Sequence, residues 1–229
     1  YNSSSSEQFG KMIENPANEN TPFYPRSPYG VSKVFSYYMT KNYRESYDMH
    51  CSSGIMFNIR VLDVVKSFYK EDYNGIKDII DGKIKFIELG NIEAKRDWGA
   101  AEKYIEAMHL ILQQEVPDDY IVQQLDHSVK EFLEIAFKYV DINNWQDYIK
   151  INPKFYRPAE VDVLRGDASK IKKIGWKYNI TFEELIHNMI DQEFGKPNSL
   201  YKRDFSLLFL EISSNNKENV IGECYEMFG

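Results

Sequence analysis

The order of strand-like and helix-like segments constrains the fold of this chain more than any other feature. Short apolar runs typical of buried strands lie at 51–58, 83–89 and 120–124. Segments with the periodicity of amphipathic helices alternate with them, at 27–49, 100–115, 128–140 and 182–194. Strands that alternate with helices are typical of proteins in which helices cover a parallel sheet. We therefore predict an α/β fold.

Several helices have recognisable starts. Ser27 can cap the first helix, and Pro28 fits the first helical position because an N–H is not needed there. Two later helices open with capping boxes, in which a hydroxyl and a glutamate satisfy each other's backbone N–H groups: Ser128 with Glu131, and Thr181 with Glu184. The first helix also carries an apolar stripe: Val31, Val34, Phe35 and Tyr38.

The stretch RSPYGVSK, residues 26–33, places a phenol and an amine together. Tyr29 and Lys33 lie four residues apart, so they share one face of the helix near its N-terminus. A nearby ammonium stabilises a phenolate, whose ordinary pKa is about 10. The pair is a candidate acid–base unit for a sugar or alcohol hydroxyl, and Lys33 could also bind the ribose of a nicotinamide cofactor. The same spacing also fits a solvated surface pair.

A second polar group lies in SSSSEQFG, residues 3–10. Ser5 and Glu7 stand where a strand would end at its carboxyl side, which is where ligands approach open α/β sheets. A serine there can hydrogen-bond a substrate hydroxyl, and a carboxylate can take a proton from carbon. Taken alone, the stretch also fits an ordinary polar loop.

Charge and composition exclude several classes of function. The net charge of -7 argues against a protein that binds nucleic acid or an anionic membrane surface. Two cysteines, Cys51 and Cys224, make no disulfide framework, so we expect a cytoplasmic protein. No apolar run reaches the roughly 18 residues of a membrane span. The four histidines show no metal-ligand spacing, so we expect no metal.

The two polar groups lie about two dozen residues apart. Together with the stretches around them, they form a sequence pattern that resembles the GDP-mannose 4,6-dehydratase family of the extended short-chain dehydrogenase superfamily. The resemblance runs from Tyr1 to about Asp191. PFYPRSPYG and AKRDWG are its most specific stretches. The matching segments are Ser5–Lys11, Thr21–Lys33, Asn42–Tyr47, Gly54–Asn58, Leu89–Gly99, Phe155–Asp167 and Gly175–Lys177.

The resemblance implies a partial Rossmann-like, doubly wound parallel sheet with a smaller C-terminal substrate-binding α/β region. Residues 1–60 would form the C-terminal part of the dinucleotide-binding domain and carry the catalytic residues. Residues 61–195 would mainly bind substrate, with some elements returning to the sheet. Residues 196–229 form a divergent tail, which we expect to be a loop or disordered.

The family's reaction is an internal oxidation, dehydration and reduction that uses NADP. The C4 hydroxyl of GDP-mannose is oxidised, water leaves across C5 and C6, and the hydride returns to C6, giving GDP-4-keto-6-deoxymannose for deoxysugar synthesis. The resemblance makes Tyr29 the base at the C4 hydroxyl, with Lys33 tuning it and binding the cofactor. It makes Ser5 the residue that orients the C4 oxygen and Glu7 the base at C5.

Three further residues would position the sugar nucleotide: Asn58, Arg96 and Arg157. An arginine fork suits a diphosphate in both geometry and charge. Arg96 could instead form a surface salt bridge with Asp97, and Arg157 could cap a helix or loop. We expect Trp98 and Trp176 to pack inside the protein rather than to stack on a ligand.

The sequence departs from the family in two places. It contains no GxGxxG or GxxGxxG, which the family would have before Tyr1. We therefore expect a C-terminal portion that is inactive alone and that belongs to a homo-oligomer when full length. At 59–70, IRVLDVVKSFYK replaces a cofactor-binding loop of the family.

Two other interpretations remain open. One is a truncated, inactive relative that acts as a binding or subunit-contact module. The other is a different nucleotide-sugar enzyme of the superfamily, an epimerase or a reductase. Glu7 argues against an epimerase, because epimerases usually lack a carboxylate at that position.

Overall fold

The structure is a computed structural model, and it describes residues 1–57, 75–124, 126–156 and 165–196. Its strands are β1 (Asn2–Ser5), β2 (Ser53–Met56), β3 (Ile87–Leu89), β4 (Lys95–Asp97), β5 (Asp119–Val122), β6 (Asp126–Ser128) and β7 (Ile149–Ile151). Its helices are α1 (Pro28–Tyr47), α2 (Gly75–Ile80), α3 (Ala101–Leu112), α4 (Val129–Tyr139), α5 (Ser169–Lys173) and α6 (Phe182–Glu193). Turns of 3-10 helix lie at Ser6–Gln8, Trp145–Tyr148 and Pro153–Phe155.

Within the described residues, the main sheet has the strand order β1–β2–β5, and its strands run parallel. Ser3 pairs with Gly54 of β2, and Gly54 pairs on its other side with Tyr120 of β5. Parallel neighbours need a crossover connection, which α1 supplies between β1 and β2. The carboxyl ends of the three strands therefore lie at one edge, as the predicted α/β fold requires.

Helices cover both faces of this sheet. On one face, Tyr37 of α1 belongs to the same buried cluster as Ile55 of β2. On the other face, Tyr104 of α3 and Ile171 of α5 cluster with Met56 of β2. Adjacent residues of one strand fill different cores, because successive side chains of a strand point to opposite faces. The predicted doubly wound arrangement is confirmed.

A further apolar core lies beside the main sheet. β3 pairs in parallel with β7, and β4 pairs antiparallel with β6. Trp98, which follows β4, stacks on Phe132 of α4 with ring centroids 5.0 Å apart, and Leu185 of α6 joins the same cluster. Trp98 and Trp176 are only 3% and 4% exposed, which confirms the prediction that both pack inside.

The caps that the sequence predicted are present. The Ser27 hydroxyl accepts the Gly30 N–H at the start of α1, and Pro28 is the first residue of the helix. Both predicted capping boxes form, at the starts of α4 and α6. These side chains satisfy backbone N–H groups that a helix cannot pair within itself, which is why the helix starts were predictable.

The structure shows the direction of the α1 stripe, which the sequence did not predict, and it shortens one predicted strand. The apolar stripe of α1 turns outward: Val31, Phe35 and Tyr38 are exposed, and Phe35 is 68% exposed. Gly30 and Tyr37 face the sheet instead. The strand predicted at 83–89 is formed only by Ile87–Leu89, because Asp78, Asp81 and their partner Lys83 hold the preceding residues in a turn.

The predicted division into 1–60, 61–195 and 196–229 stays a prediction, because residues 58–74 and 197–229 lie outside the described ranges. Among the helices in the described ranges, none combines the length and apolar character needed to cross a membrane.

Candidate active site

The site begins where β1 ends. The strand stops at Ser5, and the chain turns at once into the 3-10 turn of residues 6–8. The Ser5 hydroxyl accepts the backbone N–H of Glu7 at 3.3 Å. Behind it, the buried Ser4 hydroxyl donates to the side-chain oxygen of Gln8 at 2.6 Å. These bonds fix the turn, so the Glu7 carboxylate is held just beyond the carboxyl end of the sheet.

The N-terminus of α1 packs directly against this turn. A Cβ atom on Gly30 would lie 2.6 Å from the carbonyl oxygen of Glu7, so the approach requires glycine. The Ser27 hydroxyl, which caps α1, also lies 3.5 Å from carboxylate Oε2 of Glu7. The partial positive charge of a helix N-terminus favours a carboxylate at this position.

Tyr29 and Lys33 are placed on α1 as the spacing predicted. The ammonium of Lys33 lies 5.5 Å from the centroid of the Tyr29 ring. It donates to the backbone oxygen of Ser3 in β1 at 2.8 Å, which ties the second turn of the helix to the strand. Tyr29 is 50% exposed, so its phenol is open to a ligand. The structure therefore brings the polar groups of both segments to one place.

Further down α1, a buried cluster fixes the helix to the start of β5. The Tyr37 hydroxyl donates to Asp119 at 3.0 Å, and Arg44 donates to the same carboxylate at 2.7 Å. Burial, and secondarily the Asp119 charge, raise the pKa of Tyr37, so its hydroxyl stays protonated and donates. This anchor sets the angle at which Tyr29 and Lys33 meet the end of β1.

Arg96 lies on the β4–β6 ribbon, where it pairs in register with His127. It is half-buried, and its Nη1 donates to the backbone oxygen of Lys95 at 2.8 Å. The Asp97 carboxylate is turned into the protein. Its oxygens accept the Tyr104 hydroxyl at 2.6 Å and the Gln124 N–H at 2.9 Å. Because Gln124 closely follows β5, the ribbon lies at the same edge of the main sheet as Ser5.

Asn58 and Arg157, the other predicted substrate-binding residues, lie outside the described ranges. The divergent loop at 59–70 lies outside them as well. Among the residues that the structure does describe, no cluster of three or more His, Cys, Asp or Glu side chains could hold a metal ion.

A family model described as GDP-mannose 4,6 dehydratase matches residues 1–189 of the chain. The chain belongs to the GDP-mannose 4,6-dehydratase family. The resemblance that the sequence motifs indicated is thereby confirmed.

Curated relatives of this dehydratase-family chain include enzymes from a fly, a plant and human. GDP-mannose 4,6 dehydratase from Drosophila melanogaster is 40% identical over 209 residues, covering 83% of this chain and 53% of the relative. GDP-mannose 4,6 dehydratase 1 from Arabidopsis thaliana is 45% identical over 196 residues, which cover 84% of this chain and 54% of the plant protein. GDP-mannose 4,6 dehydratase from Homo sapiens is 37% identical over 209 residues, which cover 83% of this chain and 56% of the human protein. The chain thus spans about half the length of these relatives.

Solved structures resemble this family member in fold. RMD from Pseudomonas aeruginosa complexed with NADPH superposes with a TM-score of 0.71 at 18% identity, covering 85% of this chain and 65% of that one. The dTDP-glucose 4,6-dehydratase DesIV from Streptomyces venezuelae with NAD bound superposes with a TM-score of 0.68 at 16% identity, covering 88% of this chain and 61% of DesIV. These likenesses confirm the partial Rossmann-like fold.

Sequence reasoning missed two contacts of the dehydratase-family site. Ser27 was predicted as a helix cap, but a cap signal gives no information on a second partner such as Glu7. The sequence indicates Asp97 only as an ion-pair partner of Arg96. Alternation along a strand could have indicated that these neighbours point to opposite faces. Nothing in the sequence marks Tyr104 as the partner of Asp97.

Proposed function

We propose that the protein containing this chain is a GDP-mannose 4,6-dehydratase, a hydro-lyase that converts GDP-mannose to GDP-4-keto-6-deoxymannose, and that this chain supplies its catalytic side chains. One observation carries the proposal: the turn with Ser5 and Glu7 packs against the helix start with Tyr29 and Lys33. This arrangement offers an acid–base group for an alcohol and a carboxylate for a carbon-bound proton at one edge of the sheet. The named relatives support the same reaction.

Tyr29 takes the proton of the C4 hydroxyl. The Lys33 ammonium, 5.5 Å from the ring centroid, stabilises the phenolate that accepts this proton. The Ser5 hydroxyl lies at the end of β1, where it donates to the C4 oxygen and orients it. Once C4 is a ketone, the proton on C5 becomes acidic. The Glu7 carboxylate removes this proton and passes it to the C6 hydroxyl, which then leaves as water.

The cofactor in this proposal is NADP. When bound, its nicotinamide would accept and return the two electrons of the C4 oxidation. Lys33 and Tyr29 fit a nicotinamide nucleoside, because they offer an ammonium and a phenol at the sheet edge where dinucleotides bind in Rossmann-like folds. Solved relatives were obtained with NADPH or with NAD. A titration of the complete gene product with each dinucleotide distinguishes the two, and tighter binding of NAD would reject NADP.

Arg96 binds the diphosphate of the substrate in this scheme. Its guanidinium lies on the ribbon beyond the carboxyl end of β5, and a planar fork of donors suits a diphosphate. We propose that Asn58 and Arg157 also help to position the sugar nucleotide.

The direct test of the function uses the complete product of the native gene with GDP-mannose and NADP. Mass spectrometry should detect a nucleotide sugar that has lost one water, with no net consumption of NADP. Formation of an epimer, with no change of mass, would identify a different enzyme of the superfamily. Binding of GDP-mannose without conversion would favour the inactive binding module.

We also propose that the protein is a cytoplasmic homo-oligomer. The outward stripe of α1 supports self-association, since Phe35 and its neighbours expose a continuous apolar face that water disfavours. Light scattering on the complete gene product should give a mass above that of the monomer, and Phe35→Glu should lower it. A monomeric wild-type protein would reject this proposal.

A further inference from the structure

Asp97 is a buried carboxylate whose position is fixed by two donors. It is 3% exposed, and its oxygens accept the Tyr104 hydroxyl and the Gln124 backbone N–H at 2.6 and 2.9 Å. A buried carboxylate is costly unless hydrogen bonds compensate for the water it has lost. The Asp97 side chain therefore has one well-defined position.

The tyrosine partner is equally constrained. Tyr104 is fully buried, and burial together with the Asp97 charge raises the pKa of its hydroxyl, which therefore remains a donor. Its ring fills the space beside Gly99, where an added Cβ atom would lie 2.3 Å from a ring carbon. The strand, the glycine after it and helix α3 thus fit together at this tyrosine.

These contacts join three elements at the residue next to Arg96. Asp97 belongs to β4, Tyr104 to α3, and Gln124 to the segment that follows β5. Successive side chains of a strand point to opposite faces, so fixing Asp97 inward directs Arg96 to the other face of the ribbon. The Trp98 indole N–H adds a bond of 2.8 Å to the backbone oxygen of His127 on β6.

We propose that the Asp97–Tyr104 hydrogen bond is a positioning device that sets Arg96 at the diphosphate of the sugar nucleotide. The inference rests on the proposed function for the identity of the ligand. Tyr104 and Asp97 act only through Arg96 and do not touch the substrate. If the Tyr104 hydroxyl is removed, the Asp97 carboxylate keeps the Gln124 N–H but loses its bond of 2.6 Å, and the guanidinium of Arg96 competes strongly for the place that the hydroxyl leaves.

The experiment measures the affinity for GDP by calorimetry, and KM and kcat for GDP-mannose, on the complete gene product. Tyr104→Phe should weaken GDP binding and raise KM by roughly tenfold, the scale of one lost hydrogen bond, with kcat changed less than about twofold. The matched control is Tyr139→Phe, which removes the bond of 3.0 Å from Tyr139 to Asp191 between α4 and α6. The control should leave GDP affinity unchanged.

A double-mutant cycle separates positioning from a general loss of stability. In an Arg96→Ala background, Tyr104→Phe should have no further effect on GDP affinity, because its effect passes through Arg96. Additive effects, or a GDP affinity that Tyr104→Phe leaves unchanged, would overturn the inference while leaving the dehydratase function intact. A protein that fails to convert GDP-mannose, yet binds GDP with this dependence on Tyr104, would overturn the proposed reaction alone.

Discussion

The hydroxyl of Ser27 lies 3.5 Å from carboxylate Oε2 of Glu7, so the residue that caps α1 also touches the proposed base at C5. Ser27 therefore links the start of one helix to the end of one strand. The contact joins the two halves of the proposed catalytic group.

Ser27→Ala should lower both stability and turnover. Loss of the cap costs about 1 kcal/mol, measured by denaturant unfolding. Turnover should fall further than stability explains, because Glu7 loses a neighbour that orients it. The control is Thr181→Ala, which removes the equivalent cap of α6 away from the site. Equal turnover in the two variants would show that Ser27 is only a cap.

Glu7→Gln should block the loss of water while still permitting oxidation at C4. The amide is close in shape to the carboxylate, but it cannot accept the C5 proton. Product formation should fall by about 100-fold or more, the usual contribution of a positioned base. With GDP-mannose added, the absorbance of reduced nicotinamide should rise and persist. Normal product formation would remove Glu7 from its assigned role.

Tyr29→Phe should abolish most activity and preserve the fold. The ring remains, but no group is left to take the C4 proton, so we expect a loss of about 100- to 10,000-fold in turnover. No rise in reduced nicotinamide should occur, which distinguishes this variant from Glu7→Gln. Tyr43→Phe is the control, since Tyr43 lies on the exposed side of the same helix. A Tyr29→Phe enzyme as active as the control would contradict the assignment.

Stability should fall as the pH rises from about 4.5 to about 7, because of Glu193 at the end of α6. Burial, reinforced by the nearby Asp78 charge, raises the pKa of Glu193 to about 7, although the Lys77 N–H opposes this shift. The folded state therefore holds a proton that the unfolded state releases at lower pH, so unfolding becomes easier as the pH rises through this window.

Glu193→Gln removes this titration and should flatten the pH dependence of the melting temperature between pH 5 and pH 8. Glu183→Gln, at an exposed position on the same helix, should keep the wild-type slope. The same slope in all three proteins would show that Glu193 titrates normally.

The sequence was sufficient for the features that depend on local chemistry. Alternating segments predicted the parallel α/β fold, and Ser128, Thr181 and Ser27 each marked a helix start that the structure contains. Such signals are readable because a cap and its partner lie within one turn of chain.

The features that sequence reasoning missed depend on distant partners. Periodicity showed that α1 has an apolar stripe but not which way the stripe faces. The small side of the helix, at Gly30, packs on Glu7, and the apolar side faces out. Asp97 meets its partner Gln124 across 27 residues, a contact that no local pattern records.

The anchoring of α1 limits how this segment can change. Its first turn rests against Glu7 at the end of β1, and Arg44, near its last turn, holds Asp119 at the start of β5. The 20-residue helix, roughly 30 Å long, is thus held by contacts near both of its ends. Removing a single residue between Gly30 and Arg44 would rotate the Arg44 side chain about the helix axis, relative to Gly30, by about 100°, because the helix has 3.6 residues per turn. A change in the length of α1 is therefore incompatible with keeping both contacts.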